Sequence, residues 1–345
     1  MPGRGPVWAE ERKGFNWRRV LPYALTTLAV IAVAYAVHSY IRRDRASLPR
    51  EQEVRFYEDQ LAGADARTRA AAIERLGELG ARRLAPKLRE FLRDDAPEVV
   101  AAACLSLARL GDRRSLVEIR ARLDDPSPAI AAGAITALAV FRDAQDLPAI
   151  RTKLADKAPA VIAAACRAIA AFGDKPSAPE IRKLLGHEAP QAVEAAIQAI
   201  SALGDREAIP DIRAKLEDPE PAVARAALAA LVAFRDAESA EAIIRLLEAE
   251  EPHLVRAAAD ALADLGAKAA TQPLAALLKS PQLEIRSIAV PALARLGDPA
   301  AIPALEALVA DPAEGLDPRP PDHELLQLRN EAHAAAAKLS KLKRN

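Results

Sequence analysis

An excess of charge of either sign is missing from this chain: Lys and Arg together number 48, and so do Asp and Glu. With no bulk field, net charge would draw neither nucleic acid nor an acidic partner to it. Cysteine is scarce too. Cys104 and Cys166 are the only two; they lie too far apart for one disulfide, so no covalent framework or redox compartment follows, and they read as small buried hydrophobes. Aromatic residues make up 3% of the chain. The core must therefore be aliphatic, and the exposed rings on which a base-flipping glycosylase or a single-strand binder would stack nucleotides are not provided. Five histidines remain as candidate metal ligands. The pairs His187-Glu188 and His323-Glu324 fall in an inter-helix link and in the last helix, a spacing that builds no shared site, so no metal or cofactor is expected and no reaction is legible.

What the sequence does have is a period. Pro97, Pro128, Pro159, Pro190, Pro221 and Pro252 recur every 31 residues. Gly80, Gly111, Gly173, Gly204, Gly266 and Gly297 share a second column, with Arg142 and Arg235 in its gaps, and Asp112, Asp143, Asp174, Asp205, Asp236 and Asp298 follow in the next. Between these markers the apolar spacing is helical: Leu116, Ile119 and Leu123 on a first helix, then Val99, Ala103, Leu107 and Leu110 on a second. Proline opens the second helix, where its missing N–H costs nothing, and glycine closes it in a left-handed turn. One column is alanine throughout, from Ala72 and Ala103 through Ala134, Ala165, Ala196, Ala227 and Ala258 to Ala289, as expected where two helix backbones come close. The pattern predicts an all-α, right-handed solenoid of about nine two-helix repeats, each burying its apolar face only against its neighbours. The array is expected over 51–313, with a loop and a longer capping helix over 314–345.

Ahead of the array, a basic tail over 1–19 leads into Val20 to Ile41, an uninterrupted run without Asp, Glu, Lys or Arg. About 20 apolar residues suffice to cross a bilayer, so this segment predicts a single-pass transmembrane helix, joined by a 42–50 linker to an array on the extracytoplasmic side. The competing reading is a signal peptide cleaved after Ala34-Tyr35-Ala36.

The two-helix unit, the Gly-Asp turn, the first-helix prolines Pro86, Pro148, Pro179, Pro210 and Pro303, and links such as Asp124-Asp125-Pro126 and Asp218-Pro219 resemble the HEAT repeat superfamily. The short repeats named after phycobilisome lyases are the most similar. The resemblance implies binding more often than catalysis, and it implies that first helices form the convex side and second helices the concave one. The family's Asp-to-Arg ladder is matched only in part: Arg225 and Arg256 stand near the expected place, but Ala132, Ala163 and Glu194 occupy their column.

Two surfaces then invite a functional reading. The first-helix column Arg89, Arg120, Arg151, Arg182 and Arg213 is either an arginine stripe for an anionic partner or a solvated face balanced within its own helix, Arg120 by Asp124 and Arg213 by Glu217. The second helices should show solvent a polar face, yet from the third to the sixth repeat that face is Ala132, Thr136, Val140, Ala163, Arg167, Ala171, Glu194, Gln198, Ala202, Arg225, Ala229 and Ala233. A trough so poor in charge suits a partner segment and suggests a membrane-anchored scaffold with a protein partner. The alternatives are a lyase-like enzyme or accessory subunit, and a self-associating homo-oligomer that covers the trough itself.

Overall fold

The computed structural model describes residues 50–63, 65–313 and 321–344, and among them the chain forms eighteen α-helices in nine pairs. In chain order they are α1 (Arg50–Gln60) and α2 (Ala66–Glu78), α3 (Ala85–Glu90) and α4 (Pro97–Leu110), α5 (Leu116–Ala121) and α6 (Pro128–Phe141). Next come α7 (Leu147–Thr152) and α8 (Pro159–Phe172), α9 (Ala178–Lys183) and α10 (Pro190–Leu203), α11 (Ile209–Ala214) and α12 (Pro221–Ala233). The array closes with α13 (Ala240–Arg245) and α14 (Pro252–Asp264), α15 (Thr271–Leu277) and α16 (Leu283–Leu296), α17 (Ile302–Ala310) and α18 (Asp322–Arg344). An all-α solenoid of about nine helix pairs is as expected.

The single-pass part of the expectation is corrected. Among the described residues no helix is long and apolar enough to cross a membrane, and Val20 to Ile41, on which the expected span and the extracytoplasmic placement rested, lies outside them. Neither is carried further.

The first helices also depart from expectation. From α3 to α13 each one is a composite in which 3-10 turns, such as Arg113–Ser115 and Arg122–Asp124, flank a six-residue α segment. A proline in the first α turn, as at Pro148 and Pro179, has no N–H to close an i→i−4 bond, and the tighter 3-10 turn brings the chain round in fewer residues.

Close packing of the second helices organises the core. All eight members of the alanine column, Ala72 through Ala289, are 0% exposed. A Cβ on Gly133 of α6 would stand 2.7 Å from the Cβ of Ala101 on α4, and one on Gly77 of α2 would meet Ser106, so these backbones nearly touch. Successive second helices pack directly on one another, while successive first helices stand further apart. An array whose layers are closer on one side curls toward that side, so α2, α4 and the other even-numbered helices line its inner surface. At the far end α18 buries Leu325, Leu328, Ala332 and Leu339 against α16 and α17, covering the last open face as terminal repeats do.

Candidate functional site

The turn that ends each second helix positions the charged groups. Gly111 and Gly173 adopt φ near +70°, their N–H groups bond back into the helix, and the following Asp N–H reaches the carbonyl five residues earlier: Asp112 to Leu107 at 3.0 Å, Asp174 to Ile169 at 3.1 Å. This Schellman geometry presents each Asp side chain to the first helix before it. Arg89 meets Asp112 at 2.7 Å, Arg151 grips both oxygens of Asp174 at 2.8 and 2.7 Å, and Arg213 grips those of Asp236 at 2.7 and 2.6 Å. Arg182 lies 2.7 Å from Asp205. Arg120 divides itself between Asp146 at 2.6 Å and Asp143 at 3.0 Å, and Asp143 is also engaged by Gln145.

The arginine column is therefore an inter-unit ladder, and its charges are not balanced by Asp124 and Glu217 as the helical spacing had suggested. Arginine guanidiniums beside them hold the carboxyls of Asp174 and Asp236 below the usual carboxylate range. The offset of 23 residues between donor and acceptor was visible in the sequence: where Ile244 replaces the arginine, Ala267 replaces the aspartate, and Glu58 is likewise matched with Ala81.

His187 has a comparable explanation. Its Nδ1 accepts from the Ala189 N–H at 3.0 Å, as Asp94, Asp125, Asp156 and Asp218 accept in their links. It stands in for a capping aspartate. Among the described residues no group of three His, Cys, Asp or Glu side chains could hold a metal ion. Cys104 and Cys166 are buried, and burial pushes both thiols up to about 12.

On the inner surface, Thr136, Val140, Arg167, Ala171, Gln198, Ala202, Arg225, Ala229 and Ala233 are exposed, whereas Ala132 and Glu194 are half-buried. Ala163 is corrected outright: it is 0% exposed and belongs to the core. The hydroxyl of Thr136 donates to Ala132 O at 2.8 Å, Gln198 donates to Glu194 at 2.9 Å, and Arg225 faces Glu251 at 3.5 Å. Two bridged clusters bound this face. Glu78 joins Arg75 and Arg109 at one end, and Arg295 joins Asp260 and Asp264 at the other. Between α6 and α8 the surface opens into a shallow groove of about 350 Å3 floored by Ala139, Val140, Ala164, Ala168 and Ala171, with Arg142 and Arg167 also lining it. Sequence reasoning missed Arg142 as a surface feature, although an arginine in a glycine column was the signal.

Fold and surface together define an α-helical solenoid of stacked helix pairs. The chain matches HEAT repeats in five overlapping stretches from residue 55 to residue 316 and belongs to the HEAT-repeat family. No curated protein matches it. Among solved structures it is similar to YibA of Escherichia coli, at 16% identity and a TM-score of 0.55 over 74% of this chain and 96% of that one. It is also similar to the CpcE–CpcF complex of phycocyanin lyase from Nostoc sp. PCC7120, at 20% identity and a TM-score of 0.41 over 73% and 94%. Human deoxyhypusine hydroxylase in complex with glycerol matches at 20% identity and a TM-score of 0.32, over 76% and 99%. At these identities the likeness concerns the fold alone.

Proposed function

We propose that the protein is an interaction scaffold that holds a segment of another protein against the inner face of α6, α8, α10 and α12. One observation carries this reading: four successive solvent-facing helices present Val140, Ala171, Ala202 and Ala233 to water with almost no charge, where exposed helices ordinarily carry a polar stripe. Salt-bridged clusters at both ends set the limits of the trough. The polar groups within it favour docking over chemistry, since Thr136 and the Gln198–Glu194 pair bond within their own helices instead of converging on a common point.

The test is glutamate at Val140, Ala171 and Ala202 in the full chain. The variant should melt as the parent does and lose the partner that co-purifies with the parent. Retention of that partner would refute the reading, and a fall in oligomeric mass alone would show that the trough is covered by a second copy of the chain.

A further inference from the structure

The groove between α6 and α8 narrows the chemistry of the occupant. Its floor is aliphatic, and two guanidiniums, Arg142 and Arg167, line it. Among the described residues neither side chain has an ion-pair or hydrogen-bond partner; of the arginines on other second helices, Arg75, Arg109, Arg225 and Arg295 are paired, while Arg256 on α14, away from this groove, is not. Glu194, the one carboxylate on the second helices α6, α8, α10 and α12, is already bonded to Gln198. Arg142 moreover holds a left-handed backbone at φ 54°, in a column where six other units use glycine. Among the described residues the only other non-glycine with a positive φ is also an arginine, Arg235 at φ 52°. The two follow α6 and α12, the first and last of the four charge-poor helices. At about 8–10 Å between packed helices they lie about 24–30 Å apart, the length of a helix of roughly 16–20 residues.

Resting on the scaffold reading above, we propose that the trough takes a polypeptide segment that is both apolar and acidic. Aliphatic side chains fill the groove over Val140 and Ala171, and a carboxylate is set against Arg142 and Arg167. A guanidinium and a carboxylate match in shape as well as charge, and opposite charge steers the encounter.

The test is a display selection of random 16-residue peptides on the full chain, with binding of the selected peptides measured at about 50 mM salt. Arg142→Gly, which installs the residue its column prefers, and Arg167→Gln remove the guanidiniums without touching the core. The selected peptides should combine Leu, Ile or Val with Asp or Glu, and should bind the R142G/R167Q variant at least tenfold more weakly. Changing their own Glu to Gln should have a similar effect, and the difference should shrink at 1 M salt, as exposed pairs are screened. Peptides that are lost on V140E/A171E but carry no acidic residues, and ignore R142G/R167Q, would overturn this inference and leave the scaffold reading standing. If no peptide is selected, or if those selected bind V140E/A171E unchanged, both readings fall.

Discussion

Arg151→Ala should destabilise the array more than Asp174→Ala, although both break the same ion pair. The Asp174 side chain is 5% exposed and that of Arg151 is 43% exposed. Cutting back the arginine leaves a buried carboxylate with the Ser177 hydroxyl as its remaining side-chain donor. Orphaning a buried charge costs about 3–5 kcal/mol, and a site at the edge of solvent should fall nearer 2–3 kcal/mol. Removing the aspartate instead frees a guanidinium that can turn to water, so the loss is that of hydrogen bonds to a charged group, about 1.5–2 kcal/mol.

Cys166 gives a local readout. It sits on α8, between the two partners in sequence, at 0% exposure, while Cys104, equally buried, lies on α4 two units away. In a solenoid each unit feels chiefly its neighbours. At 1.4 kcal/mol per tenfold, R151A should speed native-state labelling of Cys166 by roughly 30- to 100-fold and that of Cys104 by less than about threefold. Labelling with a thiol reagent, resolved by peptide mass, measures both sites in one sample. Equal acceleration at the two cysteines would refute nearest-neighbour stability, and a larger effect from D174A than from R151A would refute the argument from burial.

Other outcomes follow from the same packing. Ala165→Leu, at a fully buried site between second helices, should cost about 1–3 kcal/mol by overpacking, read as a lowered urea midpoint. Arg69, Arg151 and Arg213 hold Asp94, Asp174 and Asp236 below the usual range. These carboxylates bind protons less readily folded than unfolded, so their contribution is complete above an unfolded pKa of about 3.9 and is lost as pH falls through the folded values. The urea midpoint should accordingly hold steady from about pH 7 to 5 and drop below about pH 4. Arg142→Gly relieves a left-handed strain of about 1–2 kcal/mol while giving up about 0.3–1 kcal/mol of cation at a helix C-terminus. The variant should therefore melt slightly higher than the parent, while Gly173→Ala melts lower.

Much of the fold was legible because the repeat reports each packing decision eight times over. One alanine at Ala134 could mean anything, but a column of eight implies backbones in contact. The composite first helices were less readable, since the apolar spacing of Leu116, Ile119 and Leu123 is satisfied by a 3-10 and α mixture as well as by a continuous α-helix. The ladder was misread because helical spacing directs attention to neighbours four residues away, whereas the Schellman turn carries Asp174 back to Arg151 across a whole helix. At the surface, Ala163 looked like Ala132 and Ala171 in sequence. Its burial depends on how tightly α8 is enclosed, which residue type does not encode.

A photo-cross-linking amino acid placed in turn at Val140, Ala202 and Val117 of the full chain, irradiated in its native host, tests the scaffold reading most directly. Val140 is 45% exposed on the inner face, while Val117 is 77% exposed on first helix α5. If the trough is the docking surface, Val140 and Ala202 should yield the same discrete adduct with another protein, and Val117, despite its greater exposure, should not. A discrete adduct from Val117 with none from Val140 or Ala202 would contradict the account.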